Sequence, residues 1–152
     1  MVNGAQRLPD GWEWSTVGES STVITGRTPS KKDVSNYGYF MPFVKPPELL
    51  NGSIFTAEDN ISEKGTKEAR VLPVNSVLVS CIGNLGKTGI NRIPVAFNQQ
   101  INAVIFPENI IPEFGFYYFQ SSEFKQQLED ISSATTVAIV NKSKFESLPF
   151  PL

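Results

Sequence analysis

An apolar stretch followed by a glycine-rich turn is the feature that most constrains this sequence. Residues 77–82 are apolar enough for a buried strand, and the turn after them contains Gly83, Gly86 and Lys87. Strand-like segments then return around an amide cluster, residues 98–100. Core packing alone does not require a lysine and several amides here, so we interpret this hairpin as facing a polyanion. Strands are predicted at 76–82, 88–92, 95–98 and 101–106.

The glycine turn also resembles a nucleotide-binding loop, but its spacing excludes that function. Gly86-Lys87-Thr88 matches the end of G-x-x-x-x-G-K-[ST], in which backbone N–H groups cradle phosphates. The first glycine of that motif would fall on Cys81, and Pro94 interrupts the helix that must follow. A nucleotide-hydrolysing loop is therefore rejected, while a small phosphate-binding enzyme that uses Lys87 stays as a third hypothesis.

The rest of the pattern predicts short helices around the strands. Residues 17–24 suit a short helix, Pro42 places the strand at 39–44 at a sheet edge or bulge, and a longer helix opens at Pro112. The predicted fold class is α+β, with a mixed, mostly antiparallel twisted sheet, short helices and one longer C-terminal amphipathic helix packed on it. The stripe of that longer helix consists of Phe114, Tyr117, Ser121, Phe124, Leu128 and Ile131.

The amino-acid composition limits which catalytic and metal-binding sites the chain can form. The 152 residues suit one domain, and histidine is absent, which removes the commonest metal ligand and the usual general base near neutral pH. The single cysteine, Cys81, lies in an apolar strand and is predicted to be a buried, unreactive thiol. We therefore expect no catalytic residue, no metal and no cofactor. Residues 1–7 do not resemble a secretory signal and no long apolar run occurs, which favours a cytoplasmic protein without a membrane segment.

Charge is distributed unevenly along the chain. The net charge of −2 argues weakly against a nucleic-acid partner. Residues 27–45, however, contain four basic side chains and only Asp33 as an acid, and residues 69–107 contain Arg70, Lys87 and Arg92 without any acid. Because phosphate groups meet a local positive patch rather than the net charge, the chain is expected to present one basic face.

Six short motifs follow one another along nearly the whole chain. They are Leu8-Pro9-Asp10-Gly11-Trp12, Gly26-Arg27-Thr28-Pro29-Ser30, Pro42-Phe43-Val44-Lys45-Pro46, Val77 to Gly83 with Leu85-Gly86-Lys87, Asn98 to Ala103, and Leu148-Pro149-Phe150-Pro151. In this order they resemble the target recognition domain of type I restriction-modification specificity subunits. This resemblance implies a module that binds double-stranded DNA and reads one half of a bipartite sequence. It also implies that partner methyltransferase subunits methylate adenine and that a separate restriction motor subunit cleaves.

Side chains for DNA contact are concentrated in and near these motifs. Arg and Lys pair with guanine edges and Asn and Gln with adenine, although strand-borne amides also satisfy groups within a fold. The adenine-methylation motif N/D-P-P-Y/F is not matched, because the nearest segment is Lys45-Pro46-Pro47-Glu48. The predicted DNA-binding residues are Arg27, Thr28, Lys31, Lys32, Lys45, Asn84, Lys87, Asn98, Gln99 and Gln100.

The side chains that determine which DNA sequence is bound are expected outside the shared motifs. If relatives read different sequences with the same motifs, those motifs build the scaffold and contact phosphates. Base choice is then expected in residues 31–39, 51–70 and 132–141. The side chains available there include Lys31, Lys32, Asn36, Tyr37, Lys64, Lys67, Arg70, Thr135 and Thr136.

The resemblance also bears on domain organisation. A complete specificity subunit has two recognition domains separated by long spacer helices, so residues 1–152 are predicted to be a single recognition domain, with the spacer helices absent and a monomer in isolation. The alternative is a protein- or carbohydrate-binding interaction module without nucleic-acid binding. The negative net charge and the aromatic residues Trp12, Trp14, Tyr37 and Tyr39 favour that alternative.

Overall fold

In the part of the chain that the structure describes, the fold consists of three β-sheets and short helices. A computed structural model describes residues 6–133 and 136–152, so the predictions for Thr135 and for the first five residues lie outside the described part. The strands are β1 (Trp14–Thr16), β2 (Thr22–Thr25), β3 (Tyr37–Val44), β4 (Gly52–Ile54), β5 (Asp59–Ile61), β6 (Val71–Leu72), β7 (Val77–Ser80), β8 (Thr88–Asn91), β9 (Val95–Phe97), β10 (Ile101–Ile105) and β11 (Pro149–Pro151). The helices are α1 (Val17–Ser20), α2 (Pro112–Tyr118), α3 (Ser122–Ile131) and α4 (Lys142–Glu146), with 3₁₀ turns at Val34–Asn36, Pro46–Glu48 and Gly65–Lys67.

The larger sheet has the strand order β2-β10-β7-β8-β4 and is buried on both faces at its centre. Val77 and Val79 of β7 belong to a core with the helices, including Phe124 and Leu128. Leu78, between them, belongs to a second core that also contains Phe97 of β9. Because successive side chains of a strand point to opposite faces, two cores explain why the first three residues of β7, Val77 to Val79, are all apolar.

The smaller sheet has the order β5-β3-β9-β6 and packs against the larger one across the second core. The pairings β3 with β9 and β4 with β8 are parallel, and the other strand pairings described are antiparallel. The predicted mixed, mostly antiparallel α+β class is thus confirmed. Strand β3 shifts register between Tyr37 and Met41, directly before Pro42, as expected for a proline near a bulge.

The four strands predicted between residues 76 and 106 all exist, but they do not lie side by side. Strand β9 belongs to the smaller sheet, whereas β8 and β10 belong to the larger one. Strand β10 pairs with β7 and β2 instead of with β9. The chain therefore returns from one sheet to the other at residues 98–100, which places the amide cluster at the junction of the two sheets.

The predicted helix at 17–24 is corrected. Only Val17–Ser20 is helical, and the chain continues as β2 beside β10. The reason is the run Thr22-Val23-Ile24-Thr25, since β-branched side chains favour a strand over a helix.

The predicted long helix at the C-terminal side is also corrected, because it is two helices. Helix α3 begins anew after Ser121, whose hydroxyl accepts the backbone N–H of Phe124 as an N-cap. The change of direction alters the predicted stripe. Tyr117 is 69% exposed, whereas Phe116 and Phe119 are buried in its place.

Within the two described ranges, no helix has the length and apolar character needed to cross a membrane.

Candidate nucleic-acid interface

Three turns meet where the two sheets join. Gly26 donates its N–H to Ile101 O at 3.1 Å, and Arg27 donates to Phe97 O at 3.0 Å. Cys81 donates to Gln100 O at 2.8 Å, which links the glycine turn to the amide cluster. We call residues 26–28, 82–87 and 98–100 the turn cluster. It brings together seven of the ten predicted DNA-binding residues: Arg27, Thr28, Asn84, Lys87, Asn98, Gln99 and Gln100.

Hydrogen bonds determine which atoms the amides present. Asn98 Oδ1 accepts the backbone N–H of Gln100 at 3.1 Å, which identifies that atom as the oxygen. Asn98 Nδ2 then donates to Gln100 Oε1 at 3.2 Å. Thr28 Oγ1 donates to Gln99 Oε1 at 2.6 Å. Both glutamine oxygens are thus engaged, and neither Nε2 group has a partner among the described residues.

Asn98 itself occupies a supporting position. Its side chain is 8% exposed, and both of its polar atoms bond to Gln100. Asn102 is likewise internal, since it bonds to Thr25 and to the Val140 carbonyl. Asn98 therefore organises the cluster and Asn102 the sheet beside it, and Gln99, Gln100 and the exposed Asn84 are the amides available to a ligand.

The glycine turn is closed by its own backbone. Gly83 and Gly86 have φ values of 75° and 85°, in the left-handed region that favours glycine. Gly86 donates its N–H to Ser80 O, Lys87 donates to Ser80 Oγ, and Gly83 donates to Ala138 O. Because these N–H groups are used internally and strand β8 begins at Thr88, the turn lacks the N–H cradle and helix of a nucleotide loop.

Lys125 is a basic residue of this region that sequence reasoning missed. An added Cβ on Gly86 would lie 3.3 Å from Lys125 Cγ, so the lysine stem of α3 covers the turn that contains Lys87. Lys125 is far from that turn in sequence, so no local pattern links the two. No ion-pair partner occurs in the described ranges for Arg27, Lys87 or Lys125.

Cys81 lies beneath the cluster and is 2% exposed. Burial raises the pKa of its thiol to about 12, so the thiol is protonated at neutral pH. The prediction of a buried, unreactive cysteine is confirmed.

The other predicted basic residues lie outside the turn cluster as defined. Lys45 follows β3, and its ammonium group binds Asp59 at 2.6 Å, which raises the pKa of Lys45. Lys31 and Lys32 are exposed in a turn between Ser30 and Asp33. Lys64 pairs with Asp33, and this hydrogen bond lowers the pKa of Asp33 to about 2.

A cleft of about 580 Å³ opens beside β3 and β5. We call it the tyrosine cleft. Two of the three segments predicted to choose bases, residues 31–39 and 51–70, build it together. Its lining consists of Lys31, Tyr37, Gly38, Tyr39, Glu58, Asp59 and Asn60.

The family of the chain follows from comparison with known proteins. Residues 9–152 match the model of the type I restriction modification DNA specificity domain, and the chain belongs to this family. Its function as a DNA target recognition module follows from that membership, and the interaction-module alternative is not favoured.

The individual relatives agree with this assignment. The type I restriction enzyme HindI specificity subunit of Haemophilus influenzae is 31% identical over 93% of this chain and 32% of its own length. The MjaIX specificity subunit of Methanocaldococcus jannaschii is 27% identical over 95% of this chain and 35% of its own length. The chain thus spans about a third of the curated relatives it matches.

Solved structures share the fold. The crystal structure of the HsdS subunit from Thermoanaerobacter tengcongensis superimposes with a TM-score of 0.74 at 20% identity, covering 100% of this chain and 35% of that one. A structure of an assembled type I restriction-modification system gives a TM-score of 0.73, also at 20% identity, and covers 100% of this chain and 36% of that one.

Proposed function

We propose that this domain reads one half of a bipartite DNA target and that the turn cluster contacts the phosphate backbone. The observation that carries the second part is the donor character of the turn cluster. Gln99 and Gln100 have their oxygens engaged within the protein and keep N–H groups for a ligand. Arg27 adds a guanidinium group that only donates. Phosphate oxygens only accept, so this set of groups matches a DNA backbone.

Two lysines, Lys87 in the glycine turn and Lys125 on α3 beside it, extend this contact with phosphate. Ser80 bonds to both backbone groups of Lys87: its N–H donates to the Lys87 carbonyl, and its Oγ accepts the Lys87 N–H, each at 2.9 Å. These two hydrogen bonds fix the position from which the Lys87 side chain extends. Lys125 adds a second ammonium group from α3 over the same turn. Asn84, exposed at the tip, adds a further amide.

Recognition is the role we assign to this chain, and catalysis belongs to its partners. Methyl transfer is assigned to methyltransferase subunits and cleavage to a restriction motor subunit, with no cofactor on this chain. The sequence supports this division, since it lacks histidine and the adenine-methylation motif. We further propose that residues 1–152 act as a single recognition domain, monomeric in isolation and cytoplasmic.

Salt-dependent binding tests the proposal. Anisotropy of a random duplex pool should show log Kobs falling linearly with log salt. Arg27→Gln and Lys87→Gln should each weaken binding equally for all sequences and reduce the salt slope by about 1. Arg7→Gln, a matched change at an exposed arginine outside the turn cluster, should leave the slope unchanged. Failure to retain any duplex at low salt, alone and with the methyltransferase, overturns the proposal.

A further inference from the structure

The tyrosine cleft differs chemically from the turn cluster. It presents acceptors from Glu58 and Asp59, a donor from Lys31, and both from Asn60. Donors and acceptors side by side match base edges that present both, such as adenine in the major groove, whereas a surface of donors matches only acceptors.

The charge of the cleft disfavours a phosphate ligand. The lining contains two carboxylates and one lysine, Lys31, and Lys45 from outside the lining neutralises Asp59, so the cleft has no excess of positive charge. Glu58 is exposed and has no ion-pair partner in the described part of the chain. A ligand that offers N–H donors without negative charge therefore fits this cleft best.

Tyr39 supplies an aromatic surface at the mouth of the cleft. Its side chain is 99% exposed and lies within the register shift of β3 between Tyr37 and Met41, and the next residue, Phe40, is 54% exposed. Bulges redirect side chains away from the regular sheet. Exposed ring faces provide apolar contact for flat groups such as bases and methyl groups.

We propose that the tyrosine cleft reads base edges, with Glu58 and Asn60 accepting from the exocyclic amino group of cytosine or adenine in the major groove. Carboxylates accept from cytosine N4, and asparagine pairs with adenine N6 and N7. This inference rests on the proposed function, because the turn cluster has to position the duplex.

The distance between the two regions suits one duplex. Tyr39 and Val44 lie on the same strand, and the Val44 carbonyl accepts the backbone N–H of Asn98 in the turn cluster at 3.1 Å. Five residues of extended chain span roughly 17 Å. A major groove about 12 Å wide is bordered by backbones at a comparable separation. If one DNA backbone lies on the turn cluster, the adjacent major groove is thus within reach of the tyrosine cleft.

Selection from a randomised duplex library tests the reading site. Glu58→Gln keeps the shape of the side chain and removes the carboxylate, so preference for the contacted base should change by roughly 10-fold or more. Glu63→Gln is the matched control, since Glu63 is also exposed in the same segment but lies outside the cleft lining. Any general gain in affinity from the lost negative charge should occur in both variants, and their thermal midpoints should equal that of the wild type.

The outcomes separate the two proposals. If the wild-type chain binds DNA and both variants select the same sequences, the reading site is overturned and the proposed function stands. If the wild-type chain retains no duplex, both are overturned. If a mixed oligosaccharide array binds the wild type and loses binding in Tyr39→Ala, while base selection is unchanged, the cleft binds carbohydrate and the reading site is overturned.

Discussion

The turn cluster and the tyrosine cleft differ in what positions their side chains. In the turn cluster, backbone hydrogen bonds join three turns, and a buried asparagine orients the amide of Gln100. In the cleft, exposed side chains stand on a bulged strand, and Asp59 is held by a surface ion pair with Lys45. The first region is specified by main-chain geometry, which tolerates little change, whereas the second depends on side chains that can be replaced without disturbing the core.

The same contrast explains how a chain with a net charge of −2 can bind DNA. The cations of the turn cluster and the adjacent Lys125 have no acidic partner in the described ranges, whereas Lys45 and Lys64 are neutralised by Asp59 and Asp33. Positive potential is therefore concentrated at the turns, and the cleft region is close to balanced. Local asymmetry of this kind matters more for a polyanion than the total charge.

The largest expected effect comes from filling the space under the turn cluster. A Cβ on Gly26 would lie 2.0 Å from Asn98 O and 2.6 Å from Phe97 O, so Gly26→Ala must displace backbone. We expect the free energy of unfolding to fall by about 3 kcal/mol in urea titrations. Gly52→Ala is the control, because the nearest atom to its added Cβ is 4.0 Å away. Equal stability of the two variants would show that the turns do not pack as described.

The core beneath the turn cluster should respond to alkaline pH through Cys81. Burial raises its pKa from 9.0 to about 12 in the folded protein, so between these values the unfolded chain releases a proton that the folded chain keeps. Stability should therefore be fully present below pH 9 and fall as pH rises toward 12. This group contributes a slope of about −1.4 kcal/mol per pH unit. Cys81→Ala should remove that contribution in urea titrations at pH 9.5 and 11, and an unchanged slope would show an accessible thiol.

A smaller effect is expected from reversing the amide of Gln100. Asn98→Asp keeps an acceptor for the Gln100 N–H but removes the donor to Gln100 Oε1. The glutamine amide should then turn, so that its oxygen faces the ligand and repels phosphate. We expect about a tenfold loss of DNA affinity that is equal for all sequences, close to 1.4 kcal/mol. A change in base preference instead would transfer base reading to the turn cluster and remove the contrast between the two regions.

Much of the fold could be predicted from local patterns. The strands at 76–106 were located within a few residues because β-branched and apolar runs between turn residues leave few alternatives. The helix predictions failed where a local pattern was ambiguous. Residues 17–24 are compatible with a helix and with a strand, and the structure contains one of each. The apolar spacing of residues 112–131 does not show that Ser121 caps a new helix.

The sequence by itself determined the class of the fold, the glycine and amide turns and the family. Only the tertiary structure decided that β9 lies in a different sheet from its neighbours in sequence, that Thr28 bonds to Gln99 across 71 residues, and that Lys125 covers the glycine turn. The physical reason is that strand and turn formation depend on nearby residues. The pairing of distant segments depends instead on where shared cores and hydrogen bonds compensate the entropy lost when the intervening loop closes. The residues of the glycine turn predict a polyanion site, but the closed backbone of the turn and the amide N–H groups left beside it follow from contacts that local sequence does not encode.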